Sequence, residues 1–267
     1  MAMRCALLKR LLCWSGGAFV LAALCGCAHA PGNLLWRGSA PLSPNAREAL
    51  QALAVAQARL KSFRAQGVCI ATAPELVGKR KFNVTVLYRA PGDLAVRGYD
   101  STGMSGQWLR LVVVDGRLDA EVPGMALDPA AMLGRAPADS IARELFCPEN
   151  WGRLHDRKVR VVDAHAEPSS RLTLLVDKKF GFLRRVTLDG PNWAVRESEL
   201  LDRNGDVLLR VTCDEYAEMD GVRVPAVFEA AFPKQGLSLR FSLAKQKMVY
   251  NPELGPGDFH QQHEGVP

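Results

Sequence analysis

The chain has 267 residues and 29.2 kDa, 48% hydrophobic and 23% charged with only 7% aromatic, which excludes disorder, collagen-like repeats and a multi-pass membrane protein. Lysine and arginine total 34 against 28 aspartate and glutamate. Three of those cations, Arg4, Lys9 and Arg10, belong to the first ten residues, and without them the excess falls from +6 to +3, too small to argue for a nucleic-acid partner.

The basic start precedes a 14-residue apolar run from Leu11 to Leu24. That is shorter than the roughly 20 residues needed to cross a bilayer, and it reads as an export signal. Next comes Leu24-Cys25-Gly26-Cys27. With Leu three residues before a cysteine and Gly directly before it, this stretch resembles the lipobox of bacterial lipoproteins. The resemblance implies a signal peptide of residues 1–26 and Cys27 as the lipidated new N-terminus, carrying acyl chains such as palmitate. Cys25 fits less well, because bulky Leu24 stands in the small-residue position before it. Residue 28 is Ala rather than Asp, so the enterobacterial sorting rule would send the protein to the outer membrane, facing the periplasm. Two or more acyl chains make a stable anchor at about 0.8 kcal/mol per buried methylene. A plain secretory leader or an uncleaved anchor helix are the alternatives.

Residues 27–43 form a tether rich in Pro, Gly and small residues, in which Leu34, Leu35 and Trp36 either pack on the domain or lie at the membrane surface. Cys5, Cys13 and Cys25 fall in the leader, leaving Cys69, Cys147 and Cys213 in the body. Each has apolar or strand-like neighbours, as a buried thiol would, and no pair has zinc-ligand spacing.

The domain, residues 44–250, opens with a helix: Ser43 as N-cap, Pro44 at the first position, Glu48 in the early turns and Gly67 just past the end. Leu50, Leu53, Leu60 and Phe63 share one face of it. Strand-like runs follow at Val68 to Thr72, Lys79 to Tyr88, Leu94 to Tyr99, Trp108 to Val114 and Arg117 to Val122. Between residues 126 and 147 the period changes, with short helices expected from Asp128-Pro129 and from Asp139. Strands then resume at Val159 to Ala164, Leu172 to Val176, Phe182 to Leu188, Val195 to Leu201, Val207 to Cys213, Val222 to Phe228 and Leu237 to Lys245. Pro91-Gly92 and Asp115-Gly116 are turn signals, and Asp189-Gly190, Asn204-Gly205, Asp220-Gly221 and Gln235-Gly236 are hairpin signals, so consecutive strands are expected to pair antiparallel. The fold class is mainly β with few helices: an unclosed antiparallel barrel, a strongly curved sheet of about eleven strands, covered by the long N-terminal helix and the short helical insertion. Residues 251–267 read as a C-terminal tail.

This order of elements, together with Arg59-Leu-Lys-Ser-Phe-Arg-Ala-Gln-Gly67, Asp177-Lys-Lys-Phe-Gly-Phe-Leu-Arg-Arg185, Cys213-Asp-Glu-Tyr216 followed by Asp220-Gly221 and Pro225, and Asn251-Pro-Glu-Leu254 with Phe259, resembles the periplasmic lipoprotein carriers and outer-membrane lipoprotein receptors of the LolA and LolB types. The likeness spans roughly residues 44 to 260. It implies an open barrel whose concave apolar face holds acyl chains. Phe82, Val84, Val86, Leu94, Val96, Leu174, Val176, Leu239 and Phe241 are the candidate cavity residues, and a core filled by the helices is the alternative reading of the same pattern. In the receptor type a strand connection carries a protruding apolar residue used to hand cargo to the membrane. Met104, in the loop Asp100-Ser-Thr-Gly-Met-Ser-Gly-Gln107, stands where that residue would, unless it folds back onto the sheet.

Enzyme motifs are absent from the sequence: there is no Gly-x-Ser-x-Gly elbow, no phosphate-binding glycine loop and no His-Glu-x-x-His. His155 and His165, with Asp156 and Asp163, straddle a strand edge where alternation separates side chains, and His260 with His263 lies in the tail. No catalytic residue, metal or cofactor is therefore assigned. Lys79-Arg80-Lys81, Lys178-Lys179 and Arg184-Arg185 read as solvated turns and strand faces, with contact to anionic lipid headgroups as the alternative. The expected function is that of an outer-membrane-anchored lipoprotein, not an enzyme, that binds acyl chains of lipoproteins or lipids and delivers them to the membrane. Its partners would be the acylated cargo, the membrane through the lipid anchor, and a periplasmic carrier protein. The alternative is a structural or accessory lipoprotein of an envelope assembly with the same fold.

Overall fold

The structure is a computed structural model that describes residues 43–76, 78–100, 108–128, 132–146, 159–165, 171–177, 181–190 and 192–260. Helix α1 spans Pro44–Arg59. Ser43 caps it, its Oγ accepting from the Ala46 amide at 3.3 Å, and Ala46, Ala49, Leu50 and Leu53 form its buried stripe. The helix stops well short of Gly67. Leu60 turns extended (φ −84°, ψ 98°), and strand β1 begins at Ser62. From there the burial period is two: Phe63 and Ala65 are buried while Arg64 and Gln66 are exposed. A period of two cannot be buried by a helix, so the chain changes state where the pattern does.

Strand β1, Ser62–Thr72, starts the first meander, which continues through β2 (Arg80–Arg89), β3 (Asp93–Asp100), β4 (Trp108–Val114) and β5 (Arg117–Glu121). Helix α2, Ser140–Phe146, lies in the insertion that follows. Of the earlier short helix expected there, Met132 and Leu133 are helical and buried, and residues 129–131 are outside the described set. The second meander runs β6 (Val159–His165), β7 (Arg171–Asp177), β8 (Leu183–Asp189), β9 (Ala194–Leu201), β10 (Val207–Met219), β11 (Val222–Phe232) and β12 (Leu237–Leu243). A two-residue strand β13, Val249–Tyr250, and a short helix α3, Pro256–His260, come last.

All thirteen strands form one antiparallel sheet. The two meanders join through β1, which pairs β2 on one side and β12 on the other, while β13 adds to the start of β1. β5 and β6 lie at opposite ends of the strand order, so the sheet is unclosed. Two of the expected turns have the paired left-handed residues of a tight hairpin: Asp115 and Gly116 have φ of 50° and 71°, and Asp220 and Gly221 have φ of 50° and 72°, whereas between β8 and β9 it is Trp193 that has φ 50°, and Gln235 closes a 3-10 turn. Gly67 serves the sheet instead of the helix. A Cβ there would stand 2.3 Å from the Ser242 carbonyl oxygen of β12. Two rungs away Gly98, in register with Val84 as Gly67 is, would bring a Cβ to 2.6 Å from the Val84 side chain. These glycines permit the close approach that a strongly curved sheet needs.

One face of the sheet carries the core. Register places Val176, Arg184, Leu200 and Leu209 in one row, so β7 to β10 point the same face inward. The larger apolar cluster on this face joins Phe63, Phe82, Leu111, Ile141, Leu145, Phe228 and Phe241 with their neighbours. A second cluster packs α1 on Leu172, Leu174, Val186, Leu188 and Trp193. A third lies on the opposite face, where Leu87, Ala95, Val112 and Val114 are covered by Phe259.

Candidate functional site

The nine residues proposed from the sequence to line a cavity are all buried, none more than 3% exposed. The structure brings seven of them together: Phe82, Val84, Val86, Leu94, Val96, Leu239 and Phe241 belong to the larger cluster, where the Phe241 ring stacks on Phe228 at 4.7 Å. Leu174 and Val176 stand apart, against α1 in the second cluster. Cys27, Met104, Cys147, His155, His263 and Leu34 to Trp36 lie outside the described residues. Cys69 and Cys213 are buried, and burial pushes the Cys69 thiol far above its ordinary pKa, which keeps it protonated.

A cavity lies at the seam between the two clusters. Open, and of about 710 Å³, it lies between α1, the start of β9 and the hairpin of β10 and β11. Leu53, Trp193 and Val195 reach it from the helix cluster, and Leu60, Leu145 and Val222 from the larger one. The space exists because the chain leaves the helical state at Leu60 to enter the sheet, while Ala52 and Ala56 present no bulk on the stretch before it. Its mouth is charged in both senses. Glu48, Arg59, Glu218 and Arg223 are exposed lining residues, and among the described residues none of the four makes an ion pair. Glu48 accepts from the indole Nε1 of Trp193 at 3.4 Å, and the Tyr216 hydroxyl donates to the Val195 carbonyl. None of these residues was singled out from the sequence as a site. The available signal was a helix whose apolar stripe fades to alanine in its second half.

A charged cluster is buried inside the fold. Arg184 on β8 pairs with Glu144 on α2 at 2.6 Å, both side chains fully enclosed. Its Nε also donates to Ser198 Oγ at 3.0 Å and its NH2 to the Arg143 carbonyl at 3.1 Å, while Ser198 donates to Glu144. This corrects the reading of Arg184-Arg185 as a solvated pair. In a strand the two alternate, so Arg185 faces outward and binds Glu199 with Arg210, while Arg184 shares the inner face with Val186 and Leu188. The ion pair fixes the helical insertion to the sheet.

Family models and curated proteins give no match by sequence. Solved structures do. A LolA-superfamily protein from Nitrosomonas europaea superposes with a TM-score of 0.53 at 14% identity, over 80% of this chain and 96% of that one. The chain shares the fold of that protein. A domain assigned to outer-membrane lipoprotein sorting from Vibrio parahaemolyticus (TM-score 0.46, 13% identity, 80% and 97% covered) and the lipoprotein LppX of Mycobacterium tuberculosis (0.27, 13%, 80% and 99%) are more distant likenesses.

The start of the C-terminal segment, expected as a tail, packs on the sheet. Asn251, at φ 49°, accepts from the amides of Lys61 and Ser62 at 2.7 and 3.0 Å and donates to the Arg59 carbonyl at 2.8 Å, pinning the junction of α1 and β1. Beyond it Phe259 is fully buried, Arg89 stacks over its ring at 4.9 Å, and Arg97 donates to the carbonyls of Asp258 and Phe259. A single apolar residue in a polar stretch was the sequence signal for this anchor.

Proposed function

We propose that the protein is an outer-membrane lipoprotein that binds acyl chains of lipids or lipoproteins and passes them to the membrane. The observation that carries this reading is the 710 Å³ cavity between α1 and the sheet, apolar on its floor and charged at its mouth, in a LolA-superfamily fold. Such a site binds by excluding water from a chain and needs no covalent chemistry. The anchor in this reading is Cys27, and Met104 is the point that meets the bilayer. A fluorescent palmitoyl probe should bind the protein saturably, and Ala56→Trp, which fills the cavity with an indole at a half-buried position, should weaken that binding while melting is kept. Absence of saturable binding by the folded wild type would sink the proposal. Anchoring and delivery are tested separately: Cys27→Ser should abolish membrane attachment, and Met104→Glu should lower transfer to liposomes without lowering probe binding.

The accessory reading draws on the tight burial of the seven residues in the larger cluster, which leaves the centre of the sheet filled. It requires a broad exposed apolar patch for a partner. The large exposed apolar residues described, Val55, Tyr99, Val162 and Val249, are spread over four elements, and the cavity reading accounts for Val55 as part of its lining.

A further inference from the structure

The size and the mouth of the cavity together specify its occupant. A methylene fills about the volume of a water molecule in the liquid, about 30 Å³, so a chain of about 16 carbons needs roughly 480 Å³, two need roughly 960 Å³ and three roughly 1,440 Å³. The cavity holds about 710 Å³. The cavity is open along one side, so one chain fits within it, and a second would have to lie in its mouth against the charged residues. At the mouth stand two guanidiniums and two carboxylates, Arg59 with Arg223 and Glu48 with Glu218, none of them ion-paired among the described residues. Guanidiniums match the oxygens of a phosphate, and carboxylates match an ammonium. A purely anionic head would meet the two carboxylates, and a purely cationic head the two guanidiniums. Gln51, Gln57 and Asn192 add neutral polar groups to the lining, suited to a glycerol hydroxyl.

We infer that the cavity is a single-chain site for a mono-acyl phospholipid with a zwitterionic head, its chain between α1 and Val195 and its phosphate at Arg59 and Arg223. This rests on the acyl-binding reading and narrows it, since a second or third chain would have to stay at the charged mouth.

The test uses the intact chain in phosphatidylcholine vesicles with four photoactivatable palmitoyl probes: lysophosphatidylethanolamine, phosphatidylethanolamine, palmitic acid and a triacylated lipopeptide. Labelled peptides are read by mass spectrometry. The lysophospholipid should label the segments holding Ala56 and Val195, saturate at one probe per chain, and exceed each of the others by about tenfold, the effect of one or two good polar contacts. Arg59→Gln with Arg223→Gln should erase its advantage over palmitic acid while leaving labelling by palmitic acid in place. Equal labelling by the two-chain or three-chain probe overturns the single-chain assignment and leaves acyl binding standing. Equal labelling by palmitic acid, or no response to the double substitution, overturns the head-group assignment. If no probe labels the cavity, the acyl-binding reading itself fails.

Discussion

Arg184 and Glu144 meet at 2.6 Å where neither is reached by water, and the consequence of breaking them differs from the consequence of replacing them. Burying two charges is costly, and their attraction mainly offsets that cost; removing one partner leaves the other charge buried without it. Glu144→Ala should therefore destabilise the protein by about 3–5 kcal/mol, whereas Glu144→Leu with Arg184→Met should cost much less. Urea unfolding of the three proteins decides this, and equal losses in the single and double variants would show that the pair contributes more than its own compensation. At this scale the sequence was legible in kind more than in place. The nine apolar positions alternate visibly and are buried, yet Arg184 was read as solvated because two adjacent arginines suggest a basic patch. The strand they occupy sends the first inward.

Among the elements, the two ends of α1 show what local pattern can and cannot convey. Its start was legible because Ser43 and Pro44 act within one turn, and the Ser43 side chain indeed accepts from Ala46. Its end was not, because apolar Leu60 and Phe63 continue the helical spacing, while the partners that hold them extended come from far along the chain. Asn251 is about 190 residues away in sequence from Lys61, and Tyr250 pairs with Phe63. Asn251 to Leu254 and Phe259 stand out in the sequence, but their packing does not, for the same reason: only a formed β2–β4 face offers Phe259 a place. Phe259→Ala should lower stability by about 3–5 kcal/mol, as for other buried aromatic truncations, and expose the apolar face of Leu87, Ala95 and Val112. Thermal unfolding together with binding of a hydrophobic dye at neutral pH measures both effects. An unchanged melting temperature would mean that the tail rests on the sheet without holding it.

At the scale of the whole molecule, the turn chemistry and alternation gave the succession of strands, but the joining of the meanders is a long-range event. β1 and β12 lie some 170 residues apart, and no local signal announces that they pair. That pairing sets β1 centrally, leaves β5 and β6 as edges, and brings the β10–β11 hairpin within reach of α1, which creates the cavity. The sequence points to acyl binding on the central sheet, where the described side chains are buried; the cavity under the helix is a second place for a chain. The claim that this space is a lipid site is tested most directly in the intact cell envelope. Benzoylphenylalanine placed at Ala52, which lines the cavity, and at exposed Lys247, which does not, is irradiated and each protein is weighed. The account predicts a covalent adduct of acyl-lipid mass at position 52 and little at position 247; a folded protein with no lipid adduct at position 52, or with equal yield at both positions, would contradict it.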